Sequence, residues 1–240
     1  MHLTIGWLYP TKMNIYGDRG NVISLAQRAR WRGIEAEVRE IGIGEAIPSA
    51  IDIFFFGGGQ DQEQIAVADD LAGAKGASLK AMVEDGAALL SVCGGYQLLG
   101  HEYRPHVGDR LAGIGLFDLT SVAGPERFIG NVVVDSEWGK LIGFENHSGL
   151  THLAAGQAPM GKVKVGRGNN GKDGTEGARH KNAIGCYLHG SLLPKNPAVT
   201  DWLLASALER RYGTAELAPL DDGLETAART SASARAVATR

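Results

Sequence analysis

Apolar residues along this chain fall into short runs separated by turn-forming segments, and the character of the runs changes halfway. Leu3–Leu8, Ile51–Phe56, Ala87–Val92 and Ala183–Leu188 are largely apolar runs of strand length, and Ile34–Ile41 alternates as a half-buried strand does. Between the first two, Asn21–Trp31 places Val22, Leu25, Ala26 and Ala29 at helical spacing, with Gly33 positioned to end the helix. Residues 62–84 predict one or two helices broken near Gly73–Gly76, and Pro197–Arg211 predicts another with proline near its start, where it is tolerated. Strand and helix alternate, which predicts an α/β fold: an open, mostly parallel sheet with helices on both faces.

The second half reads differently. Gly113–Val122, Phe128–Val134, Lys140–Phe144 and Lys162–Val165 look like strands joined by short turns, so antiparallel strands at an edge of the sheet are expected. Gly166–His180 is rich in Gly, Asn and Lys and predicts a mobile loop. From about Asp221 the chain is Ala, Thr, Ser and Arg with few large apolar residues. The expected organisation is one domain over residues 1–212 and a C-terminal extension over 213–240, largely a disordered tail.

Composition narrows the class. Hydrophobic residues make up 44% and charged ones 21% of the 240, ordinary for a soluble globular protein. The net charge of −3 gives no basic footprint for nucleic acid. No apolar stretch reaches the ~18 residues of a membrane span. Two cysteines make no disulfide framework, which suits a reducing cytoplasm.

One of those cysteines stands where chemistry is expected. The run Ala87–Val92 stops at Cys93, Gly94 and Gly95 follow, and a helix-like segment begins with Tyr96-Gln97-Leu98-Leu99. That is the layout of a nucleophile elbow, in which a sharp strand-to-helix turn lifts one side chain clear of the sheet. A cysteine nucleophile needs a proton-accepting partner, usually histidine. His189, also at the end of an apolar strand and followed by Gly190, is the best placed of the seven histidines. Cys186, inside that strand, reads as packing, and a Cys-x-x-His pair is a poor metal site, so no metal is expected. One oxyanion donor would be the N–H of Gly94, and Gly57-Gly58-Gly59 after the preceding strand could supply another. Phosphate cradling is the competing use of such a loop, but no Lys-Ser/Thr follows it. These residues alone reach a Cys–His acyl-transfer enzyme: an amidase, thioesterase or transferase.

Taken together, Phe56-Gly57-Gly58-Gly59, Cys93-Gly94-Gly95-Tyr96-Gln97-Leu98-Leu99-Gly100 and Tyr187-Leu188-His189-Gly190 resemble a class I glutamine amidotransferase domain of the cobyric-acid-synthase type. Asn14-Ile15-Tyr16-Gly17-Asp18-Arg19-Gly20-Asn21 and Phe144-Glu145-Asn146-His147-Ser148-Gly149 are similar to a narrower set. That set comprises the glutaminase subunits that work with a separate Mur-ligase-like chain on lipid II. The resemblance implies a flavodoxin-like class I glutaminase fold, with Cys93 as nucleophile, His189 as base and Gly58 with Gly94 as oxyanion donors. It implies that Gln97 and Arg127 hold L-glutamine, Arg127 through the α-carboxylate, and that His147 supports the site. It further implies a heterodimer in which this chain needs no cofactor. ATP and Mg would sit on the partner, which amidates the D-glutamate α-carboxylate of lipid II to D-isoglutamine with channelled ammonia. A glutaminase for cobyrinate amidation and a non-catalytic regulatory module are the alternatives.

Two positions depart from the general class I glutaminase pattern, the second as in cobyric-type relatives. Ser91 stands where many members have glycine, and Ser191 where most have the glutamate that orients the histidine. The expectation is therefore a histidine with no carboxylate from this chain, completed by an acidic residue of the partner.

Overall fold

The strands and helices anticipated in the first half form the layer that carries the site. The computed structural model describes residues 1–238. In chain order it contains β1 (His2–Leu8), α1 (Arg19–Trp31), β2 (Glu35–Ile41), β3 (Ile53–Phe56), α2 (Asp61–Asp70), α3 (Gly76–Glu84), β4 (Ala88–Val92) and the short α4 (Gly94–Leu98). There follow β5 (Glu102–Arg104), β6 (Leu111–Ala112), β7 (Leu119–Ser136), β8 (Gly139–Leu153), β9 (Gly161–Val165), β10 (Thr175–Glu176), β11 (Ala178–His180) and β12 (Ala183–Cys186). The chain closes with α5 (Leu192–Lys195), α6 (Pro197–Tyr212) and α7 (Gly223–Ala238). Helices α2 and α3 are joined by a widened turn in which Gly73 leaves helical geometry, at the break expected there.

The main sheet has the order β11-β12-β4-β3-β1-β2, parallel throughout except for the antiparallel edge strand β11. Its inner strands are buried on both faces: every residue of β3 and β4 is buried. That explains why they read as continuous apolar runs, whereas the edge strand β2, mostly exposed, alternates. Parallel order puts the carboxyl ends of β12, β4, β3 and β1 side by side on one rim, the usual place for a site in such a sheet.

The long hairpin strands do not extend this sheet. β7 and β8 pair with each other and form a second sheet, β10-β9-β7-β5-β6, with β8 on the far side of β7. The expected strand at Lys140–Phe144 runs on through Leu153, so Asn146-His147-Ser148-Gly149 lies within a strand. Opposite Ser148, residues 124–127 of β7 bulge out of register. Among the described residues one backbone bridge links the second sheet to the chain beyond β12, with His189 and Phe144 exchanging hydrogen bonds of 2.8 and 3.2 Å.

Two segments expected to be loose are ordered. Within 166–180, the Asn169 and Asn170 side chains are buried, Asn169 exchanging hydrogen bonds with the Gly177 backbone and Asn170 donating to Thr151 O of β8, which a count of Gly and Lys does not reveal. The tail forms α7, whose buried Ala236 packs on Val133, Ile142 and Val165. An alanine face needs no large side chain to approach a sheet closely, so apolar size is a poor guide there. Buried Arg28 also ties the extension down, bonding Asp222 at 2.6 Å and Asp201 at 2.7 Å.

Candidate active site

The apolar β4 ends in the elbow that the double glycine predicts. Cys93 has φ +52° and ψ −109°, a strained backbone for a residue with a Cβ. Gly95 allows it: a Cβ there would meet the carbonyl oxygens of Phe56 and Gly57 at 2.6 and 2.8 Å. Gly95→Ala is expected to destabilise the fold by about 1–3 kcal/mol, the usual cost of overpacking. Chemical denaturation would measure it, and an unchanged midpoint would mean that the elbow relaxes.

His189 sits fully buried beside Cys93, with Gly58 between them. A Cβ on Gly58 would lie 2.8 Å from His189 Cε1 and 3.3 Å from Cys93 Cβ. The imidazole is not left without a carboxylate. Its Nδ1 lies 3.1 Å from Asp18 Oδ1, both side chains being inaccessible to solvent. This corrects the expectation of an acid supplied by a partner: the loop after β1 delivers one from this chain. Ser191 has a different job, its hydroxyl donating to Gly17 O at 2.5 Å and so fastening the histidine loop to the aspartate loop. The edge-on ring of Tyr16 covers His189, with centroids 5.0 Å apart.

With Nδ1–H given to Asp18, Nε2 is the atom left for chemistry, and it has no hydrogen-bond partner among the described residues. Burial alone would lower the His189 pKa; the nearby Cys93 and Asp18 outweigh it and raise the pKa above the ordinary value. The arrangement therefore favours the protonated imidazolium at His189.

The oxyanion donors differ from expectation at one position. The Gly58 N–H donates to Asp18 Oδ2 at 2.8 Å and is already committed. The N–H groups of Gly94 and Gly59 have no acceptor among the described residues, and Gly59 lines the same cavity as Cys93.

That cavity, about 430 Å³, brings together Cys93, Gln97, Arg127 and His147. Gln97 is buried; its Nε2 donates to the Tyr187 hydroxyl at 3.0 Å and its Oε1 accepts from Gln64 Nε2 at 3.1 Å. Arg127 is exposed on the β7 bulge and donates to the side-chain and backbone oxygens of Asn146 at 3.1 and 3.4 Å. His147 stacks on Tyr187 at 3.6 Å and bonds Gly149 O through Nδ1 at 2.8 Å. Burial lowers its pKa to about 3, so it is neutral at pH 7 and a weak base, as a supporting role requires. Cys186 is buried, and burial pushes its thiol well up, which suits packing.

The sequence alone gives no individual role to Asp18, Gly59 or Gln64. Asp18 lies inside one of the family-like motifs, and the available signal is an acid in the loop after a parallel strand whose end adjoins the glycine loop. Gln64 looks like any polar helix position. Among the described residues no group of three or more His, Cys, Asp or Glu is placed to hold a metal, and no helix is long and apolar enough to cross a membrane.

Known proteins are similar to this chain in sequence and in fold. It is 42% identical over 95% of its length to the Staphylococcus aureus lipid II isoglutaminyl synthase (glutamine-hydrolyzing) subunit GatD, covering 94% of that protein. It is 39% identical over 88% of its length to the Streptococcus pneumoniae subunit of the same name, covering 82% of it. Similarity to a cobyric acid synthase of Sphingopyxis alaskensis is 31% over 60% of this chain but only 30% of that longer protein. Among solved structures, a chain from PurLQS of Thermotoga maritima matches with a TM-score of 0.56 at 14% identity, covering 85% of this chain and 98% of that one, a likeness of fold. Residues 4–197, from the first strand through the loop that carries His189, match the CobB/CobQ-like glutamine amidotransferase domain, and the chain belongs to that family.

Proposed function

We propose that this chain is the glutaminase subunit of a lipid II isoglutaminyl synthase, and that Cys93, His189 and Asp18 carry out the hydrolysis. The observation that carries the reading is the buried Asp18–His189 contact behind Cys93, which leaves Nε2 free toward the thiol. Cys93 Sγ attacks the side-chain amide carbon of L-glutamine. The tetrahedral oxyanion finds the uncommitted N–H groups of Gly94 and Gly59. His189 Nε2 gives its proton to the departing nitrogen, ammonia leaves, and a γ-glutamyl thioester remains. Water, losing a proton to Nε2, releases glutamate and restores the thiol. Asp18 holds the imidazole in the required tautomer and supports its positive charge. Gln97 and Arg127 hold the substrate.

The ammonia would pass to a Mur-ligase-like partner of the MurT type in a heterodimer. ATP and Mg on that partner would activate the D-glutamate α-carboxylate of lipid II for amidation in peptidoglycan synthesis. The free thiol that this requires suits the reducing cytoplasm. Support comes from the two subunits of that name, matched over most of their length. Steady-state hydrolysis of L-glutamine by the purified chain tests the first half. Because the acid is in the chain, turnover is expected without a partner; addition of the partner, ATP and lipid II should then give D-isoglutamine. A chain that hydrolyses no glutamine either alone or in the complex would sink the reading.

A further inference from the structure

The cavity at Cys93 contains two opposite charges that do not meet. Among its lining residues Asp61 is the one carboxylate and Arg127 the one permanent cation. Neither forms an ion pair among the described residues. Arg127 is held elsewhere, donating to Asn146 Oδ1 at 3.1 Å, and Asp61 lies near Tyr103. Tyr103 senses both, since Asp61 and Cys93 reinforce the effect of burial in raising its pKa while Arg127 opposes it. The two charges and the thiol therefore share one small space.

Neighbouring opposite charges on flexible side chains ordinarily collapse together. Here the two stand on separate elements, Asp61 at the start of α2 and Arg127 on the β7 bulge. A ligand complementary to such a pair carries an ammonium and a carboxylate on one carbon. A second acceptor lies in the same wall: Gln64 Oε1 is buried and without a partner. We propose that Asp61 receives the α-ammonium of L-glutamine while Arg127 takes its α-carboxylate, so that the pair selects the free amino acid over amides lacking the α-amino group. This rests on the glutaminase reading. Asp61 also suits the helix N-terminus electrostatically, but that role would not distinguish one substrate from another.

The test compares wild type and Asp61→Asn on L-glutamine and on 4-carbamoylbutanoate, which is glutamine without its α-amino group. For L-glutamine, KM is expected to rise about tenfold with kcat little changed, the scale of one charge-assisted hydrogen bond. For 4-carbamoylbutanoate, kcat/KM should be unchanged, and Asp61→Glu should recover part of the glutamine KM. An unchanged KM for L-glutamine, or an equal proportional loss on both substrates, would overturn the assignment. Absence of glutamine hydrolysis in the wild type would instead strike the glutaminase reading itself.

Discussion

Cys93→Ala is expected to lower glutamine hydrolysis by roughly 10⁴-fold or more, the scale on which triad hydrolases respond to loss of the nucleophile. The substitution removes one sulfur atom and keeps the Cβ, so the elbow, whose strain lies in the backbone at φ +52°, is left in place. The fold and any partner binding should survive, which a thermal melt and co-purification would show. A glutamine-analogue electrophile should label Cys93 in the wild type and leave Cys186 untouched, because Cys186 is fully buried inside β12. Labelling at Cys186, or substantial hydrolysis by the Ala variant, would remove Cys93 from the mechanism.

How far the site can be read from the chain depends on how local each constraint is. Cys93 and His189 are legible because each follows an apolar run that contains a strand and precedes glycine, a signal contained in a few neighbouring residues. Parallel order then forces their strand ends together, since β12 and β4 are hydrogen-bonded neighbours. The bulge that carries Arg127 is not legible, because it exists only in the register between β7 and β8. The second sheet escapes for a similar reason: hairpin strands announce their pairing with each other, not the sheet they join. Gly58 is placed correctly beside Cys93, but the atom its N–H serves depends on a carboxylate from another loop. The general class I pattern puts the acid two residues after His189, where Ser191 stands, whereas it lies 171 residues earlier in the chain. Contact between loops after β1 and β12 is a property of the strand order β12-β4-β3-β1, which no short motif encodes.

Asp18→Asn gives the sharpest test of that contact. In the native site both carboxylate oxygens accept hydrogen bonds, Oδ1 from His189 Nδ1–H and Oδ2 from the Gly58 N–H. An amide has only one accepting oxygen. If the amide turns that oxygen to His189, its NH2 group faces the Gly58 donor, and the loop beside Cys93 must shift. If it turns the oxygen to Gly58, its NH2 group faces Nδ1, which must then accept, so the neutral imidazole carries its proton on Nε2. In that tautomer the ring cannot take the thiol proton, and in either orientation the charge that supports the imidazolium is gone. A comparable change in a Ser-His-Asp enzyme costs about 10⁴-fold in kcat, and a fall of roughly 10³- to 10⁴-fold is expected here. Removing the carboxylate also removes one of the two influences that raise the His189 pKa, so histidine titration followed by NMR should move down in pH. The loss should persist when a Mur-ligase-like partner is added at equal chain concentration, because the missing charge belongs to this chain. Near-native kcat in the Asp18→Asn variant, alone or restored on assembly, would mean that the acid acting on His189 comes from outside these 240 residues.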